Sequence, residues 1–207
     1  MQIISHRGYW LNSEEKNSVS AFQRSFKLGF GTETDVRDSH GELVISHDIP
    51  KGGELSFTNF LDLLEGNDLP LAINIKADGL ADEINKVMSQ RNLTKWFVFD
   101  MSIPDMVNCI NKNLPVFGRL SEYEPHLPLS NQIKGIWLDS FGPEWWDCEL
   151  IEKWTNYGKK VCIVSPELHK RNPLPVWERI LNYRFSNRKN IMLCTDEPVK
   201  AKEMLGC

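Results

Sequence analysis

A single-domain (β/α)8 barrel is the fold class that this 207-residue sequence predicts. Short apolar runs alternate with amphipathic stretches seven or eight times to the end of the chain, the pattern of a parallel sheet joined by crossover helices. Polar residues end early strands far apart in sequence, at His6, Asp35, His47 and Lys76, and a closed ring lets such residues converge. No linker, repeat or low-complexity segment divides residues 1–207. An open doubly wound sheet is the competing arrangement, because the length lies near the ~200-residue floor for such barrels.

Taken in order, the apolar runs place strands over 2–5, 32–36, 43–46, 71–76, 96–99, 116–120, 135–138, 161–164 and 191–194. Helices are predicted over 18–28, 57–64, 80–91, 104–111, 144–157, 176–183 and 198–205. Ser56 precedes a stretch whose Phe57, Phe60, Leu61 and Leu64 share a face, so it reads as an N-cap. Thr195-Asp196 before Pro198 reads as a cap followed by proline in the first turn. Residues 122–128 carry two prolines and read as a loop, and His40-Gly41 reads as a solvated turn. Gly8 follows a strand exit, where the missing Cβ would let backbone amides approach a ligand. Trp145, Trp146 and Trp154 recur at helical spacing, which favours packing.

Composition narrows the function. Apolar content of 41% and charged content of 25% are those of an ordinary globular domain, and no run approaches the roughly 18 to 20 apolar residues of a membrane span. A net charge of −4 without any basic run offers no field for nucleic acid. A secretory signal would occupy roughly the first 15 to 30 residues and its removal would take His6 and Arg7 with it, so a cytoplasmic protein is expected. Cys109, Cys148, Cys162, Cys194 and Cys207 are odd in number and never spaced as CxxC, which predicts free thiols and no zinc site.

The chemistry concentrates in the first 76 residues. His6 and His47 can exchange protons near neutral pH. Glu33 and Asp35, two apart on one strand, point to the same side, and two like charges on one face call for something positive between them. A divalent cation with oxygen ligands is one answer; a buried ionic network with Arg7 and Lys76 is the other. Arginine and lysine also suit the clamping of a phosphate, so the pattern points to metal-assisted phosphodiester hydrolysis. Asp139, Asp100 and His169, at or beyond later strand ends, are weaker candidates to line the same pocket. No GxGxxG or Walker pattern supports a nucleotide fold.

The segments Ile4-Ser5-His6-Arg7-Gly8, Lys16-Asn17-Ser18-Val19-Ser20-Ala21-Phe22, Thr32-Glu33-Thr34-Asp35-Val36 and Val44-Ile45-Ser46-His47-Asp48 resemble, in order and spacing, the motifs of the glycerophosphodiester phosphodiesterase family. Ile73-Asn74-Ile75-Lys76 is similar to that family's third-strand E-I-K, and Cys194-Thr195-Asp196-Glu197-Pro198 to its terminal TD-x-P. The similarity is dense over 1–48, returns at 70–76 and 191–198, and is thin between. It implies a barrel, Mg2+ or Ca2+ as cofactor, and cleavage of a small-molecule or glycan-linked glycerophosphodiester to glycerol 3-phosphate and an alcohol. Carried over residue by residue, Glu33, Asp35 and Asn74 would bind the cation, His6 and His47 would serve as general base and acid, and Arg7 and Lys76 would hold phosphoryl oxygens. Attack by water and prior attack by the substrate's own glycerol hydroxyl both fit these roles.

Two departures qualify the resemblance. Asn74 stands where the family has a glutamate, bringing an oxygen but no charge, so a catalytically weak phosphodiester-binding protein is the alternative function. The connection after His47 is short, and 161–166 lacks the family's tryptophan, which predicts a more open substrate mouth.

Overall fold

The computed structural model describes residues 1–206, and among them eight strands run parallel in a ring. These are β1 (Gln2–His6), β2 (Gly31–Ser39), β4 (Leu71–Ile75), β5 (Trp96–Phe99), β6 (Phe117–Leu120), β7 (Gly135–Leu138), β8 (Lys160–Val164) and β9 (Ile191–Thr195). They pair in the order β5-β4-β2-β1-β9-β8-β7-β6. The two ends of that order meet where Val98 bridges Val116 and its N–H donates to the Pro115 carbonyl at 2.9 Å, which all but closes the barrel. The ring is therefore the barrel that the polar strand ends predict, and the open sheet is not formed.

Helices α1 (Val19–Lys27), α2 (Phe57–Asp62), α3 (Ala81–Ser89), α4 (Ile103–Asn111), α5 (Cys148–Asn156), α6 (Leu174–Asn182) and α7 (Pro198–Leu205) wrap the outside. Ser56 caps α2 by accepting from Asn59 N at 3.1 Å. Between the helices and the outer strand faces lie two apolar arcs, one around Phe22, Phe57, Phe60 and Ile84, the other around Ile136, Ile163, Trp177 and Ile180. Inside the barrel, Phe97 stacks on Phe117 and Phe99 on Trp137, with ring centroids 3.7 and 3.9 Å apart. Ile4, Ala72, Cys162, Val164, Met192 and Cys194 complete this plug. Because side chains alternate along a strand, residues two places beyond the plug also point inward at the C-terminal rim. That rule delivers His6 after Ile4, Asn74 and Lys76 after Ala72, Arg119 after Phe117 and Asp139 after Trp137.

Several expectations need correction. The segment at 43–46 is β3 (Glu42–Ile45), an antiparallel return paired with the upper half of β2 through the His40-Gly41 turn; it is not a barrel strand. Both turn residues have positive φ (52° and 85°), the geometry that joins two antiparallel strands tightly. His47 thus reaches the rim by doubling back, since Ser46 N donates to the Asp35 carbonyl at 3.0 Å. Helix α5 starts only at Cys148 because the Asp147 side chain caps it, accepting from Leu150 N, so Trp145 and Trp146 precede it. Trp146 is nonetheless buried, and Trp145 and Trp154 pack against the second arc. The expected Thr195-Asp196 cap is not made: Thr195 belongs to β9, and α7 begins without a side-chain cap.

Gly8 does not offer its amide to a ligand either. Its N–H donates to Thr32 Oγ1 at 2.9 Å, and its φ of +82° leaves a Cβ only 2.7 Å from that of Ala21, so α1 packs there only against glycine. Cys109, Cys148, Cys162 and Cys194 are free and buried, and burial pushes the Cys109 thiol up to about 12 and those of Cys162 and Cys194 well above the ordinary range, so these thiols are unreactive. Cys207 lies outside the described residues. No helix among the described residues is long and apolar enough to cross a membrane.

Candidate active site

Adjacent strands bring the sequence candidates to one rim. In register, His6 of β1 faces Glu33 of β2, and Asp35 of β2 faces Asn74 of β4. Glu33, Asp35 and Asn74 are all buried above the aromatic plug. Removed from water, Glu33 has its carboxyl raised to about 7, chiefly by burial and then by the neighbouring Asp35 charge, against the pull of His6 and Arg7. The two acids meet different company. Asp35 Oδ2 lies 2.9 Å from Arg7 Nε and Asp35 Oδ1 3.4 Å from Lys76 Nζ, and Asn17 Nδ2 donates to Oδ2 at 2.9 Å. Glu33 has no such cations on it: Asn74 Nδ2 donates to its Oε1 at 3.1 Å, and His6 Nε2 stands 3.9 Å from its Oε2. The ionic network considered from sequence therefore forms around Asp35 and leaves Glu33 out.

Three inward oxygens, Glu33 Oε2, Asp35 Oδ1 and Asn74 Oδ1, are buried without a hydrogen bond. Buried polar atoms nearly always find a partner, so three on neighbouring strands need a reason. An all-oxygen set of two carboxylates and an amide carbonyl fits a hard cation such as Mg2+ or Ca2+ and not a thiophilic metal. Among the described residues no three His, Cys, Asp or Glu side chains form a metal cluster, as follows from Asn74 supplying the third oxygen.

The two histidines differ in support. His6 Nδ1 donates to Asp196 Oδ1 at 2.7 Å, which fixes the ring and leaves Nε2 on the Glu33 side. Asp196 is itself held. Its N–H and the Thr195 hydroxyl both donate to Glu167 Oε1, and Ser165 donates to Glu167 Oε2. Burial raises the Glu167 carboxyl above the usual range despite those donors. His47 is about half exposed, and its Nδ1 donates to Asp48 Oδ1 at 2.8 Å. Asp196 and Glu167 had no role assigned from sequence. Asp196 was read only as part of a helix cap and as a member of a quoted motif, and Glu167 gave no signal.

The other half of the rim is also charged. His169 Nε2 donates to Asp139 Oδ1 at 2.7 Å, joining two residues that the sequence flagged separately. Arg119 pairs with Asp100 Oδ1 at 3.1 Å and with Glu124. Arg119 escaped the sequence reading because one arginine in a five-residue apolar run looks like strand surface.

No family model matches the chain, and no curated protein matches it. Solved structures do. A glycerophosphodiester phosphodiesterase from Agrobacterium tumefaciens superposes with a TM-score of 0.74 at 15% identity, covering 100% of both chains. The chain shares that fold. A phosphodiesterase from Oleispira antarctica, solved with its product sn-glycerol-3-phosphate, gives 0.70 at 15% identity over 100% of this chain and 97% of its own. A glycerophosphoryl diester phosphodiesterase from Parabacteroides distasonis gives 0.69 at 14% identity, covering 99% and 86%.

Proposed function

We propose that the chain hydrolyses a glycerophosphodiester to glycerol 3-phosphate and an alcohol, with Mg2+ or Ca2+ as cofactor. The observation that carries this reading is the convergence of His6, Arg7, Glu33, Asp35, Asn74 and Lys76 on one rim, with three buried oxygens that accept no hydrogen bond. The likeness to phosphodiesterases, one of them holding sn-glycerol-3-phosphate, supports it. Glu33, Asp35 and Asn74 would hold the cation, which when bound neutralises charge on the phosphoryl group. Arg7 and Lys76, already lying against Asp35, share their N–H donors with phosphoryl oxygens and so offset the negative charge that repels a nucleophile. His6, oriented by Asp196, takes the proton of the attacking hydroxyl. His47, half exposed at the rim, gives a proton to the departing alkoxide as the P–O bond to the alcohol breaks.

The test is a coupled assay for released glycerol 3-phosphate on wild type, His6→Ala and His47→Ala, with Mg2+ or Ca2+ and with chelator. Each histidine variant should lose about 10²- to 10⁴-fold in kcat, and chelator should abolish turnover. Wild-type binding of the diester without any turnover would instead identify a binding protein. Activity retained in both variants would remove the histidines from the chemistry.

A further inference from the structure

A cavity of about 290 Å3 opens on the far side of the ring from His6, between α4 and the connection that follows β6. Its origin is local. Among the described residues, the β6–β7 connection is the one barrel crossover without a helix, and residues 121–130 take its place, with Leu127 packed against both outer apolar arcs. Ser121 and Glu124 exchange backbone hydrogen bonds of 3.3 and 3.1 Å, which turns the chain. Leu127 then plugs the gap beside Gly118, where a Cβ would lie 2.8 Å from Leu127 Cδ1.

One wall of the cavity is polar and the other apolar. Arg119, paired with Asp100 and Glu124, forms the first; Ile103 and Met106 of α4 and the ring of Tyr123 form the second. Tyr123 is 76% exposed and stands 6.0 Å from the ring of Phe141, so an aromatic face is presented to solvent beside the charged group. The cavity adjoins the phosphate clamp. Asn74 pairs with Phe99 in register, which sets Asp100 beside the strand end carrying Lys76, and the Lys76 charge acts on Asp100.

Resting on the hydrolase reading, we propose that this cavity is the subsite for the alcohol portion of the diester, and that it takes a neutral polyhydroxylated alcohol of monosaccharide or cyclitol size. Size comes first: the volume sits at the lower end of ligand pockets, which run from about 300 Å3 upward, too small for an acyl chain or an extended glycan. Charge comes second. Asp100 and Glu124 share the one Arg119 guanidinium, and the Lys76 charge acts on Asp100 as well, so a second anion is repelled and an ammonium head group meets only carboxylates that already have a cation beside them, where desolvating a further charge is costly. Hydroxyls suit the wall better, since each both donates and accepts, and Arg119 keeps N–H groups beyond those on Asp100 and Glu124. The apolar C–H face of a ring alcohol lies against Tyr123 and Ile103.

The experiment compares kcat/KM for glycerophospho-myo-inositol and glycerophosphoethanolamine in wild type, Tyr123→Ala and Tyr123→Phe. Binding of each intact diester is read by calorimetry in chelator. Tyr123 is exposed enough that its truncation leaves the fold intact. Wild type should prefer the inositol diester by about tenfold or more, Tyr123→Ala should lose about five- to tenfold on it alone, and Tyr123→Phe, which restores the ring, should recover most of the loss. Equal losses on both diesters, or a wild-type preference for ethanolamine, would overturn the subsite while leaving the hydrolase standing. Inositol-diester binding that depends on Tyr123, with no turnover of either diester, would keep the subsite and sink the hydrolase. Neither binding nor turnover would overturn both.

Discussion

His6 Nδ1 and Asp196 Oδ1 lie 2.7 Å apart although the residues are separated by 190 positions, because β1 and β9 are neighbours in the ring and each ends at the same rim. A carboxylate at this place fixes which nitrogen carries the proton and stabilises the imidazolium that forms when the other nitrogen accepts one. It also ties the first residues of the site to the last strand, so the site is complete only when the barrel is closed on that side.

Asp196→Asn should therefore cost activity more than stability. The amide keeps the shape and a hydrogen bond but presents an N–H that can force the wrong tautomer, and kcat should fall by roughly 10²- to 10⁴-fold. The pH profile of the residual activity should also move relative to wild type, a change that mere loosening of a loop would not produce. Residual kcat within about threefold of wild type would show that Asp196 does not position His6.

How much of this was readable in advance depends on which rule places each residue. Period two on a strand put Glu33 and Asp35 on one side, and the same rule on the neighbouring strand β4 brought Asn74 and Lys76 to them. His47 was assigned to the site from a strand end, yet it arrives by an antiparallel hairpin, a route that the alternation of apolar and polar residues cannot reveal. Asp196 and Glu167 depend on tertiary pairing between β8, β9 and β1, for which a sequence carries no periodicity. Arg119 needed two partners on different connections, Asp100 and Glu124, before its burial made sense. The start of α5 was missed because Asp147 caps it at Cys148, and the start of α7 at Pro198 was legible although its expected cap was not, since the Thr195 hydroxyl accepts from Glu197 N at 3.0 Å.

Asn74→Glu should separate metal binding from folding. Without a cation the change replaces the 3.1 Å hydrogen bond from Asn74 to Glu33 with a second buried carboxylate beside it, so the variant should melt below wild type in chelator. With Mg2+ or Ca2+ the added negative ligand should tighten binding, and the rise in Tm on titrating the cation should exceed that of wild type, following the linkage RT ln(1 + [L]/Kd). Differential scanning fluorimetry across a cation series reads both. A variant no less stable in chelator and no more responsive to cation would place Asn74 outside the cation's ligands.

The final prediction concerns Glu167, the carboxylate beneath the Asp196 loop. Burial raises its pKa in the folded protein, while Ser165, Thr195 and the Asp196 N–H, all donors to it, hold the increase down. An acid whose folded value lies above its unfolded one, about 4.3 for glutamate, favours folding most when protonated. Its contribution is present in full below the unfolded value and is lost as pH rises through the folded value. Glutamine cannot ionise, yet its carbonyl can accept from Thr195 and Asp196 as Glu167 Oε1 does. Glu167→Gln should accordingly match or fall slightly below wild type in acid and gain on it as pH rises through the weakly acidic range. Urea titrations of both proteins at a series of pH values would show the difference in midpoint shifting toward the variant. A difference that stays flat would mean that its three donors just balance its burial, and one that moves toward wild type with rising pH would mean that they outweigh it and hold Glu167 as the anion; either result would overturn the prediction.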